Sequence, residues 1–317
     1  MFPFGVNICE LQFYQPFIEA CQRTGVMAPW ISMDAVDTNI TKLFDSLDGD
    51  KIICTDFSKF DQHFNSDMQN CCKEVFRWLL DDTSGWLDNV FPVKYNIPLA
   101  YNWNRIRTGD HGMGSGSGGT NADESVSHKA LQFEAAITAN AQLNPYSMDL
   151  GDDGILSYRG INVDHVVETY SSHGQEMNVS KQYVSDHDCV FLRRWHHTDY
   201  RIDGIARGVY ATCRALGRLC MQERYYDPKV WGPKMVALRQ ISILENVKWH
   251  PVREKFVDYC MKGDKFRLGI DIPGFLDNIE SEAKQATSYM PDFLGYTKTQ
   301  MREESQSTGI DNWWIVN

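Results

Sequence analysis

Pro145-Tyr146-Ser147-Met148-Asp149-Leu150-Gly151-Asp152-Asp153-Gly154-Ile155-Leu156-Ser157-Tyr158 reads as a β-hairpin. An apolar-leaning run is followed by a Gly-Asp-Asp-Gly turn and a second strand from Ile155 to Tyr158. Glycine accepts positive φ and aspartate tolerates it, which suits both to a tight turn. Two adjacent carboxylates on a turn between buried strands are held close and repel, so a cation should neutralise them. Oxygen-only donors suit Mg²⁺ or Mn²⁺ rather than zinc. An ordinary surface turn has the same spelling. Chance alone gives a Gly-Asp-Asp in a chain of this length roughly one time in ten, so the rest of the chain must decide.

At 317 residues the chain can bury a large core and hold two or three subdomains. Its formal net charge of −11 argues against a general nucleic-acid coat. The charge is uneven: residues 193–239 carry 10 Lys/Arg against 4 Asp/Glu. The nine cysteines form no Cys-x-x-Cys pair, and reduced thiols in an intracellular setting are the expected state. His196 and His197 are read as structural or surface residues. No stretch approaches 18 apolar residues, and Met1–Gly5 lacks the basic start of a signal peptide.

A second carboxylate pair lies upstream. Ile52-Ile53-Cys54 spells a short buried strand, Asp56 falls at its end, and Asp61 follows five residues later. A carboxylate closing a buried strand is costly unless it binds something. Phe4 to Cys9 reads as a strand, Gln15–Thr24 and Asp34–Leu47 as short helices, and Ser66–Leu80 as an amphipathic helix capped by Ser66. Residues 86–108 alternate aromatic and polar residues and read as strands with a turn at Pro98. Residues 109–119 then hold six glycines, and a helix with Val126, Ala130, Phe133 and Ile137 at helical spacing follows. Backbone N–H groups of such a loop, feeding a helix N-terminus, suit phosphate. No Gly-Lys-Ser/Thr follows, which excludes a Walker loop, and no strand–loop–helix unit fits a dinucleotide fingerprint.

The run Asp56-Phe57-Ser58-Lys59-Phe60-Asp61, the loop Gly114-Ser115-Gly116-Ser117-Gly118-Gly119-Thr120 and Leu150-Gly151-Asp152-Asp153 come in this order. Together they resemble motifs A, B and C of viral RNA-dependent RNA polymerases. They look closest to those of picobirnaviruses, with partitivirus enzymes next. The resemblance implies an α+β right-hand fold: an antiparallel palm sheet with packed helices, partial fingers and a helical thumb. It divides the chain into fingers (1–50 and 63–108), palm (51–62 for motif A, 109–195 for motifs B to E) and thumb with C-terminal tail (196–317).

The same resemblance implies the chemistry. Asp56, Asp152 and Asp153 would hold two Mg²⁺ or Mn²⁺ ions for attack of an RNA 3′-OH on an NTP. Asp61 would read the ribose 2′-OH, and Ser115, Gly116 and Thr120 would hold template and nucleotide. The family usually places Asn, or Asp, where this chain has Glu124, which leaves Asn121 and Asp123 as rival ribose-reading partners. Met177–Lys181 resembles motif D, with Lys181 protonating pyrophosphate. Cys189–Arg194 resembles motif E, with Arg193 or Arg194 on product phosphate. Asp203–Glu223 reads as a long helix, with Arg207, Arg214 and Arg218 in a stripe facing duplex RNA. The tail from Ser281 is polar but ends in Trp313-Trp314, and is expected to pack back onto the body, as a plug or initiation platform.

Implied partners are RNA, NTPs and a viral capsid protein, with no membrane, in the virion interior and host cytoplasm. The family's basic motif F is absent: before Lys59 only Arg23, Lys42 and Lys51 are basic. Part of the N-terminal fingers is therefore expected to be missing. A reverse transcriptase is disfavoured by Leu150-Gly151 before the acids and by Asp61. A nucleotide cyclase would need neither the Gly-rich loop nor the Arg-lined helix. The main alternative is an impaired polymerase fragment acting as an RNA-binding or capsid-associated scaffold.

Overall fold

The structure is a computed structural model that describes residues 2–81, 84–222, 225–290 and 308–317. The chain begins with α1 (Phe4–Thr24), α2 (Ala28–Ile31), α3 (Met33–Asp45) and β1 (Ile52–Thr55). Then come α4 (Ser66–Leu79), α5 (Trp86–Asn89), α6 (Val93–Asn96), β2 (Leu99–Asn102), β3 (Arg105–Arg107) and α7 (Thr120–Thr138). They are followed by β4 (Met148–Leu150), β5 (Asp153–Leu156), α8 (Val163–Ser172), β6 (Tyr183–Ser185) and β7 (Asp188–Phe191). The last part holds β8 (Arg194–His197), β9 (Arg201–Ile202), β10 (Ile205–Ala206), β11 (Val209–Tyr210), α9 (Thr212–Cys220), α10 (Pro233–Asn246), α11 (Arg253–Gly263) and α12 (Ile279–Ala286). The chain divides into two compact units, one of residues 1–29 and 39–192, the other of residues 30–38 and 193–317.

In the first unit a four-stranded antiparallel sheet runs β4-β5-β1-β6. β1 is central, and all four of its residues are buried, as its Ile-Ile-Cys-Thr spelling requires. α7 packs against β4, α4 and α8. Gln132 of α7 reaches the sheet backbone, donating to the Met148 carbonyl at 2.9 Å. β2 and β3 form a separate exposed hairpin. The mixture of helices with antiparallel sheet is the α+β class that the sequence implies.

Several local expectations are corrected. Phe4–Cys9 is not a strand but the start of the 21-residue α1, which buries Glu10, Phe13 and Tyr14. None of Phe4–Cys9 is itself buried, and the helix runs on through them from the buried turns at Glu10, Phe13 and Tyr14. Residues 86–96 are two single-turn helices rather than strands, with Phe91 and Tyr95 buried. The cap of α4 is Asn65, whose side chain accepts from the amides of Asp67 and Met68, rather than Ser66. Asp82 and Thr83, just beyond that helix in sequence, lie outside the described residues. On α7, Phe133 and Ile137 are exposed, and the buried face carries Ala122, Leu131 and Ala135.

In the second unit the long helix expected over 203–223 starts only at Thr212. Residues 201–206 form a tight hairpin through Gly204, and β11 pairs with β8. Gly204 has positive φ (78°), and a Cβ at Gly208 would come 2.6 Å from His196 Nε2. These two glycines therefore belong to a turn and a close approach, not a helix. Glu223 lies outside the described residues. α10 is the core helix of this unit. One face packs with α12, Ile310 and Trp313, the other with α9 and α11. The tail thus packs back as expected, onto α10 and α12: Trp313 is buried and the Trp314 amide donates to Glu245 at 2.9 Å. Residues 291–307 of that tail lie outside the described residues.

Candidate active site

β1 and β5 are antiparallel, with Cys54 opposite Ile155 and Thr55 opposite Gly154. Continued by one residue, that register sets Asp56 across from Asp153. The β4–β5 turn is tighter than expected: Leu150 pairs with Asp153, leaving only Gly151 and Asp152 in the loop. Gly151 has φ +62°, and Asp152 is not among the positive-φ residues, as a type II′ turn requires. The two strands therefore end together. Asp56 and Asp152 are exposed and Asp153 is half-buried.

Helix α7 braces this turn from behind. The Ser125 hydroxyl accepts from the Gly151 amide at 2.9 Å, and His128 Nδ1 donates to the Gly151 carbonyl at 2.9 Å. Burial pushes the His128 pKa down, so the ring is neutral and keeps its proton on Nδ1, facing that carbonyl. His128 Nε2 lies 3.4 Å from the Thr55 hydroxyl, so one buried ring spans β1, the turn and α7. A Cβ on Gly154 would fall 2.4 Å from His128 Cε1, which makes glycine obligatory there.

Asp61 leaves the same edge of the sheet. Its Oδ2 accepts from the Ser115 hydroxyl at 3.1 Å, which ties the Asp56–Asp61 segment to the Gly-rich loop. Its backbone carbonyl accepts from Met113 N at 2.8 Å. Glu124 and Asn121, on the first turns of α7, come near Gly151: a Cβ there would lie 3.3 Å from Glu124 Oε2 and 3.6 Å from Asn121 Nδ2. Burial, then the charges of Asp152, Asp61 and Asp123, push Glu124 up to about 8. In the metal-free protein Glu124 is therefore mostly protonated at neutral pH. Asp123 points the other way. It is fully buried, held by the Tyr14 hydroxyl at 2.7 Å, the Tyr95 hydroxyl at 2.6 Å and Lys94 at 2.8 Å. It is thereby removed as a ribose-reading rival.

The loop itself is structured. The Thr120 hydroxyl donates back to the Ser117 carbonyl at 3.1 Å, and Gly116 has φ +105°. Ser115 and Gly116 are exposed. On the far side of β1, Gln182 clamps Asp56 by both backbone groups, accepting from its amide and donating to its carbonyl, each at 2.9 Å. Lys181 precedes Gln182 on the single-turn helix Val179–Lys181 and is exposed. Sequence reasoning missed Gln182, His128, Asn7, Glu10 and Lys94. Of these, only Lys94 carried a visible signal, a lone lysine between aromatic residues.

The arginines of the second unit fall into two groups. Arg193 and Arg214 are exposed, and Arg218 is half-buried on α9. Arg194 is buried and donates to Asn246 at 3.3 Å. Arg207 lies before α9, not on it; it pairs with Asp34 at 3.0 Å and stacks on Trp249 at 4.3 Å. The expected three-arginine stripe on one helix is thus reduced to Arg218 and Arg214, whose Nε donates to the Tyr210 hydroxyl at 3.1 Å, while Arg207 is committed to Asp34 and Arg194 is buried. His196 is structural, as expected: it is buried and 2.9 Å from Asp37.

Among the described residues no three His, Cys, Asp or Glu side chains form a closed metal cage. The residues present nevertheless fit Mg²⁺ or Mn²⁺. All donors are carboxylate oxygens at an open edge, and such ions take one or two carboxylates and complete their shell with water and substrate phosphate. Among the described residues no helix is long and apolar enough to cross a membrane.

A carboxylate-ended antiparallel sheet, a two-residue acidic hairpin and a Gly-rich loop on a long helix together define a polymerase palm. The chain belongs to the viral RNA-dependent RNA polymerase family, whose model matches residues 1–204. It is 60% identical to a protein of human picobirnavirus described as a "potential RNA-dependent RNA polymerase", over 100% of this chain and 60% of that one. It is also similar to the crystal structure of the RNA-dependent RNA polymerase of a human picobirnavirus. There the TM-score is 0.90 and the identity 60%, with 100% of this chain and 60% of that one covered. An insertion-loop deletion mutant of a human picobirnavirus polymerase gives a TM-score of 0.89 at 58% identity, with 100% of this chain and 58% of that one covered. The chain thus spans about three fifths of the length of the relatives it matches.

Proposed function

We propose that this chain carries the catalytic centre of an RNA-dependent RNA polymerase that replicates and transcribes a double-stranded RNA genome. The observation that supports it most is the register of β1 and β5, which ends the two strands together and sets Asp56 beside the Asp152–Asp153 turn. In this reading Asp56 and Asp152 hold two divalent ions, with Asp153 assisting. When bound, such ions would stabilise the attacking and leaving oxygens of the displacement. Asp61, fixed by Ser115, accepts from the ribose 2′-OH, and Glu124 or Asn121 supports it from α7. Ser115, Gly116 and Thr120 keep the nucleotide and template in place, and Lys181 gives a proton to the departing pyrophosphate. Arg193, Arg214 and Arg218 contact product phosphates.

The corresponding subdomains are fingers over 1–50 and 63–108, palm over 51–62 and 109–195, and thumb over 196–317. Template RNA and NTPs are the substrates, with a capsid protein as partner and the virion interior and host cytoplasm as sites of action. The test is nucleotide incorporation on a short single-stranded RNA with Mg²⁺ or Mn²⁺, beside Mn²⁺ binding followed by electron paramagnetic resonance. Loss of both in Asp152→Ala supports the reading. A wild-type chain that neither binds Mn²⁺ nor incorporates nucleotide overturns it.

A further inference from the structure

Asn7 and Glu10 lie three residues apart on α1 and so share one face. Both reach the Gly-rich loop more than a hundred residues away. Asn7 Nδ2 donates to the Gly116 carbonyl at 3.2 Å, and its Oδ1 accepts from the Gly118 amide at 2.7 Å. Glu10 Oε2 accepts from the same amide at 2.9 Å, and both its oxygens lie 2.8 Å from the Ser117 hydroxyl. The loop rests directly on the helix: a Cβ at Gly119 would fall 2.1 Å from Tyr14 Cε2. Behind it, buried Lys94 joins Glu10 at 3.5 Å to Asp123 of α7 at 2.8 Å.

We propose that α1 is a positioning clamp for the Gly-rich loop, in which Asn7 and Glu10 fix residues 116–118 so that Ser115 and Gly116 face the nucleotide. The inference rests on the polymerase reading for the identity of that ligand. Its physical ground is entropy. Glycine loses more freedom on ordering than any other residue, so a loop with so many would be loose unless held from outside. The loop's internal bonds, such as Ser117 N to the Gly114 carbonyl and the Thr120 hydroxyl to the Ser117 carbonyl, do not engage the Gly118 amide or the Gly116 carbonyl. The Gly118 amide and Gly116 carbonyl are bonded by α1, while Ser115 is bonded by Asp61 on the other side. The loop is thus bracketed by two elements distant in sequence, and its apex is left exposed.

The test uses Asn7→Ala, Glu10→Gln and, as a control on α1, Cys9→Ser, whose exposed thiol has no bond to the loop. Two readouts are taken: hydrogen exchange of the Gly118 amide, and KM against kcat for nucleotide. Asn7 is half-buried and outside the core, so Asn7→Ala keeps the fold if Glu10→Gln does not. Asn7→Ala should quicken Gly118 exchange about tenfold and raise nucleotide KM about five- to tenfold, the scale of one lost hydrogen bond, with kcat within about twofold. Cys9→Ser should change neither. Unchanged Gly118 exchange in Asn7→Ala, or faster exchange with unchanged KM, overturns the clamp. If the wild type incorporates no nucleotide, faster exchange in Asn7→Ala still supports the loop contact, and only the polymerase reading falls.

Discussion

The Ser115 hydroxyl donates to Asp61 Oδ2 across 3.1 Å, joining the tip of the Gly-rich loop to the segment that leaves the central strand. This bond fixes the carboxylate that the proposed mechanism uses to recognise ribose. Ser115→Ala should therefore weaken discrimination between NTP and dNTP by about tenfold, the scale of one recognition hydrogen bond. Asp61→Asn should weaken it further. Competing incorporation of ribo- and deoxyribonucleotides on one template measures both, and undiminished discrimination in Asp61→Asn would exclude the assignment.

Gly154→Ala should destabilise the first unit by about 1–3 kcal/mol, the usual cost of overpacking a full core. The added carbon would meet His128 at 2.4 Å and the Thr55 hydroxyl at 2.6 Å. Gly151→Ala strains the backbone instead, because φ is +62° there, and should cost about 1–2 kcal/mol. Urea unfolding monitored by far-ultraviolet circular dichroism ranks the two.

Lys94 is fully buried between Glu10 and Asp123. Lys94→Met leaves two buried carboxylates without their shared cation and should cost about 3–5 kcal/mol. Lys73→Ala, which removes the more exposed pair with Asp88, should cost less than about 1 kcal/mol. Similar midpoints for the two variants in chemical denaturation would contradict this account of the network.

His173 joins α8 to two other helices, with Nδ1 2.5 Å from Asp67 and Nε2 2.7 Å from Glu134. The hydrogen bond to Asp67, then the nearby Glu134, raise its pKa above the ordinary histidine value. A raised pKa means the folded state binds the proton more tightly. The stabilisation is complete below the unfolded pKa of about 6.5 and fades as pH rises through the folded value. His173→Gln should thus lower Tm clearly at about pH 6 and less at about pH 9. An equal drop at both would rule the linkage out.

Glu124 shifts in the same direction but from a destabilising cause, burial beside like charges. Its folded pKa of about 8 is above the ordinary carboxylate value, so in metal-free protein its contribution to stability declines as pH rises from about 4.5 through 8. Glu124→Gln removes that decline, and its Tm advantage over wild type should grow between pH 6 and pH 9. A constant difference would show that the carboxyl does not titrate in this range.

The parts of the site legible in the sequence were those whose chemistry is local. Asp56 follows an apolar strand, and Asp152 sits in a turn that its own glycine specifies. The brace behind them was not legible, because His128, Gln182 and Lys94 acquire their roles there from partners 23 to 126 residues away. Helical spacing misled where two periods coincide. Ile205 and Val209 fit one face of a helix, yet Gly204 and Gly208 serve a turn and a close approach to His196. Phe133 and Ile137 suggested a buried face, but α7 turns its small residues to the sheet and leaves them in solvent.

The turn of Gly151 and Asp152 has a consequence for how this region can vary. Side chains alternate sides along a strand, so if an added or lost residue between Leu150 and Asp153 slipped the pairing by one position, every following side chain of β5 would turn over. Ile155 would exchange places with its neighbours, and the carboxylates would leave the edge they share with Asp56. Substitution can change the chemistry of the tip, whereas a change in its length must either bulge the turn or slip the register of the sheet that carries it. An insertion scan should find this short span closed to even a single extra residue, while the exposed hairpin of residues 99–107 accepts several.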